Sequence, residues 1–146
     1  MAVELEDLMR AVMCSVTVAY VRLFGRRGNA ARRVSFRILA EILKDRVPDD
    51  PMEALLEILE PVAEVEVDGD ELRVRDCVMC MCRFLPEVAT EEELEIIQRI
   101  VPCPIVNVYE QLAEIKGWGA RLVPVKTPSS GDTEPGSCVQ RLEEGA

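Results

Sequence analysis

Apolar positions recur at helical spacing through the first sixty residues of the chain and then switch to strict alternation. Leu5, Leu8, Met9, Val12, Met13, Val16, Ala19, Tyr20 and Leu23 form one helical stripe that Gly25 ends. Cys14, Val18 and Val21 make the opposite side apolar too, which predicts a helix that is central or sits at an oligomer interface. A homodimer through this first helix is one of those two alternatives. A second helix is predicted over about 30–45, with Val34, Ile38 and Ile42 on one face and Leu39 and Leu43 beside them. Asp49-Asp50-Pro51 caps a third, whose Met52, Leu55, Leu56 and Leu59 are expected to face inward.

From Ala63 the period becomes two. Ala63, Val65 and Val67 alternate with Glu64 and Glu66, Asp68-Gly69-Asp70 turns the chain, and Leu72 and Val74 alternate with Arg73 and Arg75. That pattern is a hairpin with opposite charges on its outer face. Thr90-Glu91-Glu92-Glu93 is a capping box ahead of Leu94, Ile97, Ile100 and Val101, and Val101-Pro102-Cys103-Pro104 breaks that helix. Pro104 opens another, with Ile105, Val108, Tyr109, Leu112 and Ile115 as its stripe and Gly117 as its end. The segment 120–126 reads as a strand, placed at a sheet edge by Pro124. A polar loop over 127–136 leads to a last short strand near Cys138. Paired strands among helices predict an α+β fold: an antiparallel sheet of two hairpin-like strand pairs packed against several helices. The chain reads as a single domain with a helical part (1–61), a hairpin–cysteine–helix part (62–126), a flexible loop (127–136) and a strand with tail (137–146).

Composition narrows the function. A formal charge of -10 opposes nucleic-acid and anionic-membrane binding. There is no histidine, which removes Ser-His-Asp and Cys-His catalysis and His-ligated metal. The N-terminus is acidic where a signal peptide would be basic, and the apolar run from Ala11 to Leu23 is interrupted by Ser15, Thr17 and Arg22 and short for a bilayer. A cytoplasmic protein with reduced or metal-bound thiols is expected.

The chemistry rests on cysteine. Cys77, Cys80 and Cys82 follow the second strand as C-x-x-C-x-C, a spacing that lets a turn aim thiolates at one zinc ion or cradle an iron–sulfur cluster. Cys103 is the distant ligand and Cys138 the closing one, with Cys82 as substitute. Core packing is the alternative for any of them, and the preferred reading for Cys14. A second alternative is an enzyme that uses Cys103 as nucleophile, its thiolate favoured at the start of the Pro104 helix. Arg22, Arg26, Arg27, Arg32, Arg33 and Arg37 crowd one turn and helix start. Arg26, Arg27, Arg32 and Arg33 are the candidate anion site, and nucleic-acid binding through the stretch from Arg22 to Arg37 is the weakest functional alternative; a solvated face paired with the surplus acids is the favoured reading. Tyr20, Tyr109 and Trp118 are the aromatic candidates for lining a ligand pocket, with packing the plainer role for Tyr109 and Trp118.

Asp76-Cys77-Val78-Met79-Cys80, Pro102-Cys103-Pro104, the helix end and strand from Gly117 to Val125, Gly131-Asp132 and Cys138 occur in an order similar to that of the 4-vinyl reductase domain family. The resemblance covers the C-terminal half. The pattern's cysteine shortly before Gly-Asp is missing, with Thr127 nearest, and Cys138 lies further beyond Asp132 than the pattern has it. The resemblance implies an α+β fold with a pocket between helices and sheet, a small hydrophobic or tetrapyrrole-like ligand, and a cysteine-bound metal. It points to a binding or sensing domain more than to an enzyme.

Overall fold

The computed structural model describes residues 3–99 and 103–144. Ile100, Val101 and Pro102, read above as the end of one helix and its break, lie outside them. The chain begins with α1 (Leu5–Phe24), a 3-10 turn (Gly25–Arg27) and α2 (Gly28–Leu43). Next come α3 (Pro51–Leu59), β1 (Glu64–Asp68) and β2 (Glu71–Arg75), then α4 (Leu85–Val88) and α5 (Glu91–Gln98). It ends with α6 (Pro104–Lys116), β3 (Ala120–Lys126) and β4 (Cys138–Glu144). The fold is α+β, with one antiparallel sheet in the order β1-β2-β4-β3.

Local signals act as their chemistry demands. Asp50 accepts the Glu53 N–H at 3.0 Å, with Pro51 in the first turn. Thr90 and Glu93 close a reciprocal capping box. Gly117 ends α6 in the left-handed conformation at φ 70°. Val65 pairs with Val74 and Val67 with Leu72, so a two-residue turn joins β1 to β2, and Glu66 and Arg75 form an ion pair at 2.9 Å. Pro124 lies on β3, an edge strand, beside a register irregularity before Lys126. The two hairpins join because β4 pairs with β2, setting Cys138 opposite Val74.

Leu72, Val74, Leu122 and Leu142 of the sheet pack on Leu55 and Leu59 of α3 and on Ile105 and Tyr109 of α6. The far side of α6 offers Val108 and Leu112 to Phe36 and Ala40 of α2. A third cluster joins Cys14, Val18 and Val21 of α1 to Met81, Leu85 and Ile97. These clusters correct the facing of the first two helices. On α1 the side that goes inward is Cys14, Thr17, Val18 and Val21, while Leu5, Leu8, Val12, Val16 and Leu23 are exposed. On α2 the inward residues are Gly28, Arg32, Phe36 and Ala40, and Val34, Ile38 and Ile42 are exposed.

Side-chain contacts on the inward flank tie α1 to the rest of the fold. Arg10 Nε donates to Cys77 O at 3.2 Å, and Arg22 grips both carboxylate oxygens of Glu93 at 2.9 Å. Against those anchors the heavier leucine stripe turns outward.

Candidate metal and ligand pocket

β2 ends at a left-handed residue, Asp76 (φ 52°), which throws the chain out of the ladder and into the cysteine segment. Three main-chain bonds hold the segment: Cys77 N–H to Gly136 O at 3.0 Å, Val78 N–H to Val62 O at 2.9 Å, and Cys80 N–H to Cys77 O at 3.3 Å. The loop before β4 therefore lies against the segment after β2. Cys103 reaches the same place as the N-cap of α6, and Cys138 as the first residue of β4. Cys77, Cys80, Cys82, Cys103 and Cys138 line one cavity of about 140 Å³. Five of the six cysteines thus converge from three separate stretches of chain. Met81, Pro124 and Pro128 supply apolar wall, and Thr127, Ser129 and Ser137 supply hydroxyls.

Backbone N–H groups are directed at the sulfurs. Cys77 receives those of Met79 and Cys80. Cys80 receives that of Gly136 at 3.3 Å and that of Cys82. Such donors favour a thiolate over a thiol. Cys80 and Cys82 also share a hydrogen bond. The Cys82 thiol, its own pKa raised by that bond and by burial, donates to Cys80, whose pKa falls. The Arg10 guanidinium lowers Cys80 further, and Arg10 Nε donates to Cys77 O at 3.2 Å.

Burial decides the other three. It pushes Cys77 and Cys138 each up to about 12. Burial also raises Cys103, although the Ile105 and Val106 N–H groups and the Arg32 charge pull it down. Cys103 makes no side-chain hydrogen bond of capping geometry. Desolvation therefore opposes the thiolate expected at this helix start, and Cys80 is the cavity thiol that its donors and Arg10 lower. Gln140, buried two residues along β4, donates Nε2 to Cys138 Sγ at 3.2 Å while its Oε1 has no partner among the described residues.

The donor set suits a soft cation: five sulfurs, main-chain N–H groups turned toward three of them, and two arginines directing positive charge at Cys80 and Cys103. As the side chains stand, no three acidic or thiol groups among the described residues meet at one coordination point. The cysteines share the walls of a cavity, and side-chain rotation would have to bring them together.

The other candidates disperse. Tyr109 is fully buried; it donates its hydroxyl to Pro51 O at 2.9 Å and packs its ring against Trp118 at 5.8 Å, so both belong to the core. Tyr20 meets Ser35 at 2.7 Å between α1 and α2. None of the three aromatics lines the cysteine cavity. Arg26 and Arg27 are exposed on the 3-10 turn, while Arg33 pairs with Glu110 at 3.5 Å. Arg32 is buried, bonds Thr17 at 3.1 Å and covers the Phe36 ring. These four do not form one anion site, and the pairing of Arg22, Arg33 and Arg37 with glutamates matches the solvated-face reading. Cys14 is core, as expected.

Arg10, Gly136 and Gln140 belong to the site without having been singled out from sequence. Gln140 carried a usable signal, since it alternates with Cys138 on one face of a strand. Arg10 carried none, lying 67 residues from the cysteine whose carbonyl it holds. Compared with known proteins, the chain matches no family model and no curated protein.

Proposed function

We propose that this chain is a binding or sensing domain that holds a thiophilic metal, zinc or an iron–sulfur cluster, at the cysteine cavity. The ligands would be Cys77, Cys80, Cys103 and Cys138, with Cys82 as substitute. The observation that carries the reading is the convergence of five cysteines on one small cavity. Charge supports it. A divalent ion with four thiolates carries two surplus negative charges, and Arg10 and Arg32 direct two positive ones at the set. The metal would fix the loop wall, beside which a small ligand would lie against Met81, Pro124 and Pro128. The order of motifs that resembles the 4-vinyl reductase domain family belongs to the same proposal. A cavity of about 140 Å³ suits a compact ligand better than a tetrapyrrole, since drug-sized ligands take roughly 300–1,000 Å³.

Elemental analysis of anaerobically purified protein tests the reading. About one equivalent of zinc, or a coloured iron–sulfur chromophore, is expected, and it should be lost in the double variant Cys80→Ser/Cys103→Ser. Less than roughly a tenth of an equivalent, with all thiols titrating freely, overturns it. A protein free of metal as purified would favour a thiolate enzyme instead, with Cys80 and not Cys103 as nucleophile.

A further inference from the structure

We infer that the outer face of the α1–α2 hairpin binds a second copy of this chain, with its helices antiparallel, as a two-fold four-helix bundle. α1 and α2 are antiparallel neighbours. Gly28 lies on the Tyr20–Val21 backbone, Arg32 bonds Thr17, and Met13 packs toward Phe36 and Ala40. Tyr20 and Ser35 touch across the outer seam. Val16 and Leu23 stand one helical turn from Tyr20, and Ile38 one turn from Ser35, so the apolar rows of both helices border the same seam. Leu8 (52%), Val12 (50%), Val34 (60%), Ile38 (54%) and Ile42 (53%) are exposed to that extent along it. Together with Leu5, Val16 and Leu23 the exposed apolar area is on the order of 800 Å². That is what each partner of a standard interface buries, and more than the ~300–600 Å² patch of a typical monomer.

Charge selects the occupant and its direction. The hairpin tip carries Arg26 and Arg27, both exposed, and among the described residues neither has an ion-pair partner. The open end carries exposed Glu4 and Glu6 at the start of α1, while just beyond α2 Asp45 is flanked by Lys44 and Arg46. A second copy laid antiparallel sets each basic tip against the other's acidic end while the apolar rows meet between them. A parallel copy would set arginine on arginine. The face is thus self-complementary about a two-fold axis, as an isologous interface must be. The axis would pass near Val16 and Val34, midway along the helices.

Sedimentation velocity of the full chain tests the assembly. The expected result is a species of two 16.3 kDa chains at tens of micromolar, reduced to one chain by Val16→Glu/Ile38→Glu with its helical circular dichroism unchanged. A charge exchange tests the direction. Arg26→Glu/Arg27→Glu and Glu4→Lys/Glu6→Lys should each weaken self-association at least tenfold, while an equimolar mixture of the two should form a heterodimer at near wild-type affinity. A parallel pair would instead let Arg26→Glu/Arg27→Glu associate with the unmodified chain more tightly than either does alone, and that result overturns the antiparallel arrangement. A monomeric wild-type chain overturns the whole inference. A stretch within Leu5–Leu43 is long and apolar enough to enter a membrane, so a monomer that co-sediments with phosphatidylcholine vesicles would assign the face to a bilayer.

Discussion

Gly28→Ala should destabilise the protein although it places a better helix former in a helix. Gly28 is the first residue of α2, and its φ of -58° and ψ of -29° suit alanine. Propensity alone would therefore stabilise the variant by up to ~1 kcal/mol. Sterics oppose this. A Cβ on Gly28 would stand 2.4 Å from Tyr20 O, 2.5 Å from Tyr20 C and 2.7 Å from Val21 N, all main-chain atoms of α1 that no rotamer can remove. Relief requires the two helices to part by about 1 Å, which overpacks or opens the seam at about 1–3 kcal/mol. Parting them also strains the buried 3.1 Å bond from Arg32 to Thr17, worth about 1 kcal/mol. The balance is a loss of roughly 1–3 kcal/mol, a fall in the urea midpoint of about 1 M. Urea unfolding followed by Trp118 fluorescence and by circular dichroism measures it. Gly117→Ala is the comparator: it meets nothing within 4 Å, and its left-handed φ of 70° costs only conformational strain, about 1 kcal/mol. If Gly28→Ala unfolds at the same or higher urea than the parent, the close approach of α1 and α2 is wrong.

Three further outcomes test other parts of the structure. In metal-free protein at neutral pH, iodoacetamide should label Cys80 before Cys77, Cys103 or Cys138, and Cys82→Ala should slow that reaction by removing the donor to its sulfur; peptide mass spectrometry reads the order. Arg22 and the Thr90 N–H hold the Glu93 carboxyl down at about 2. Its contribution to stability is therefore complete above the unfolded value near ~4.3 and is lost as pH falls toward 2, so Glu93→Gln should flatten this part of the acid limb of the Tm–pH curve. Tyr109→Phe should cost about 1 kcal/mol in urea unfolding because it leaves the Pro51 carbonyl without its donor, and an unchanged midpoint would contradict that contact.

Much of the fold is legible in local chemistry because single residues make decisive choices. The capping box at Thr90, the proline after Asp50, the left-handed Gly117 and the alternation around Gly69-Asp70 each admit few conformations, and each is realised. The facing of α1 and α2 is different in kind. Helical periodicity finds an apolar row; it cannot say whether that row meets the rest of its own chain. The inward side of α1 is built from the smaller Cys14, Thr17 and Val18 and fixed by Arg10 and Arg22 through ion pairs and carbonyl contacts distant in sequence. No window of one helix holds that information. α4 escaped for a simpler reason: four residues give too little periodicity to read. The cysteine cavity lies between these cases. Its thiols are visible in spacing, whereas Arg10 and Gln140 become part of it only through tertiary contacts.

The cavity forms where regular structure stops. Cys77 and Cys80 follow the end of β2, Cys138 begins β4, and Cys103 precedes the first turn of α6. At such ends main-chain N–H groups have no ladder or helix partner, and here several of them turn toward sulfur. The same closure that supplies these donors removes water, which raises Cys77, Cys103 and Cys138, while hydrogen-bond donors lower Cys80. A cation entering the cavity must expel protons from the raised thiols, so affinity at this site would rise with pH. Burial thus protects three thiols from casual alkylation and oxidation, yet leaves them available to an ion soft enough to replace their protons.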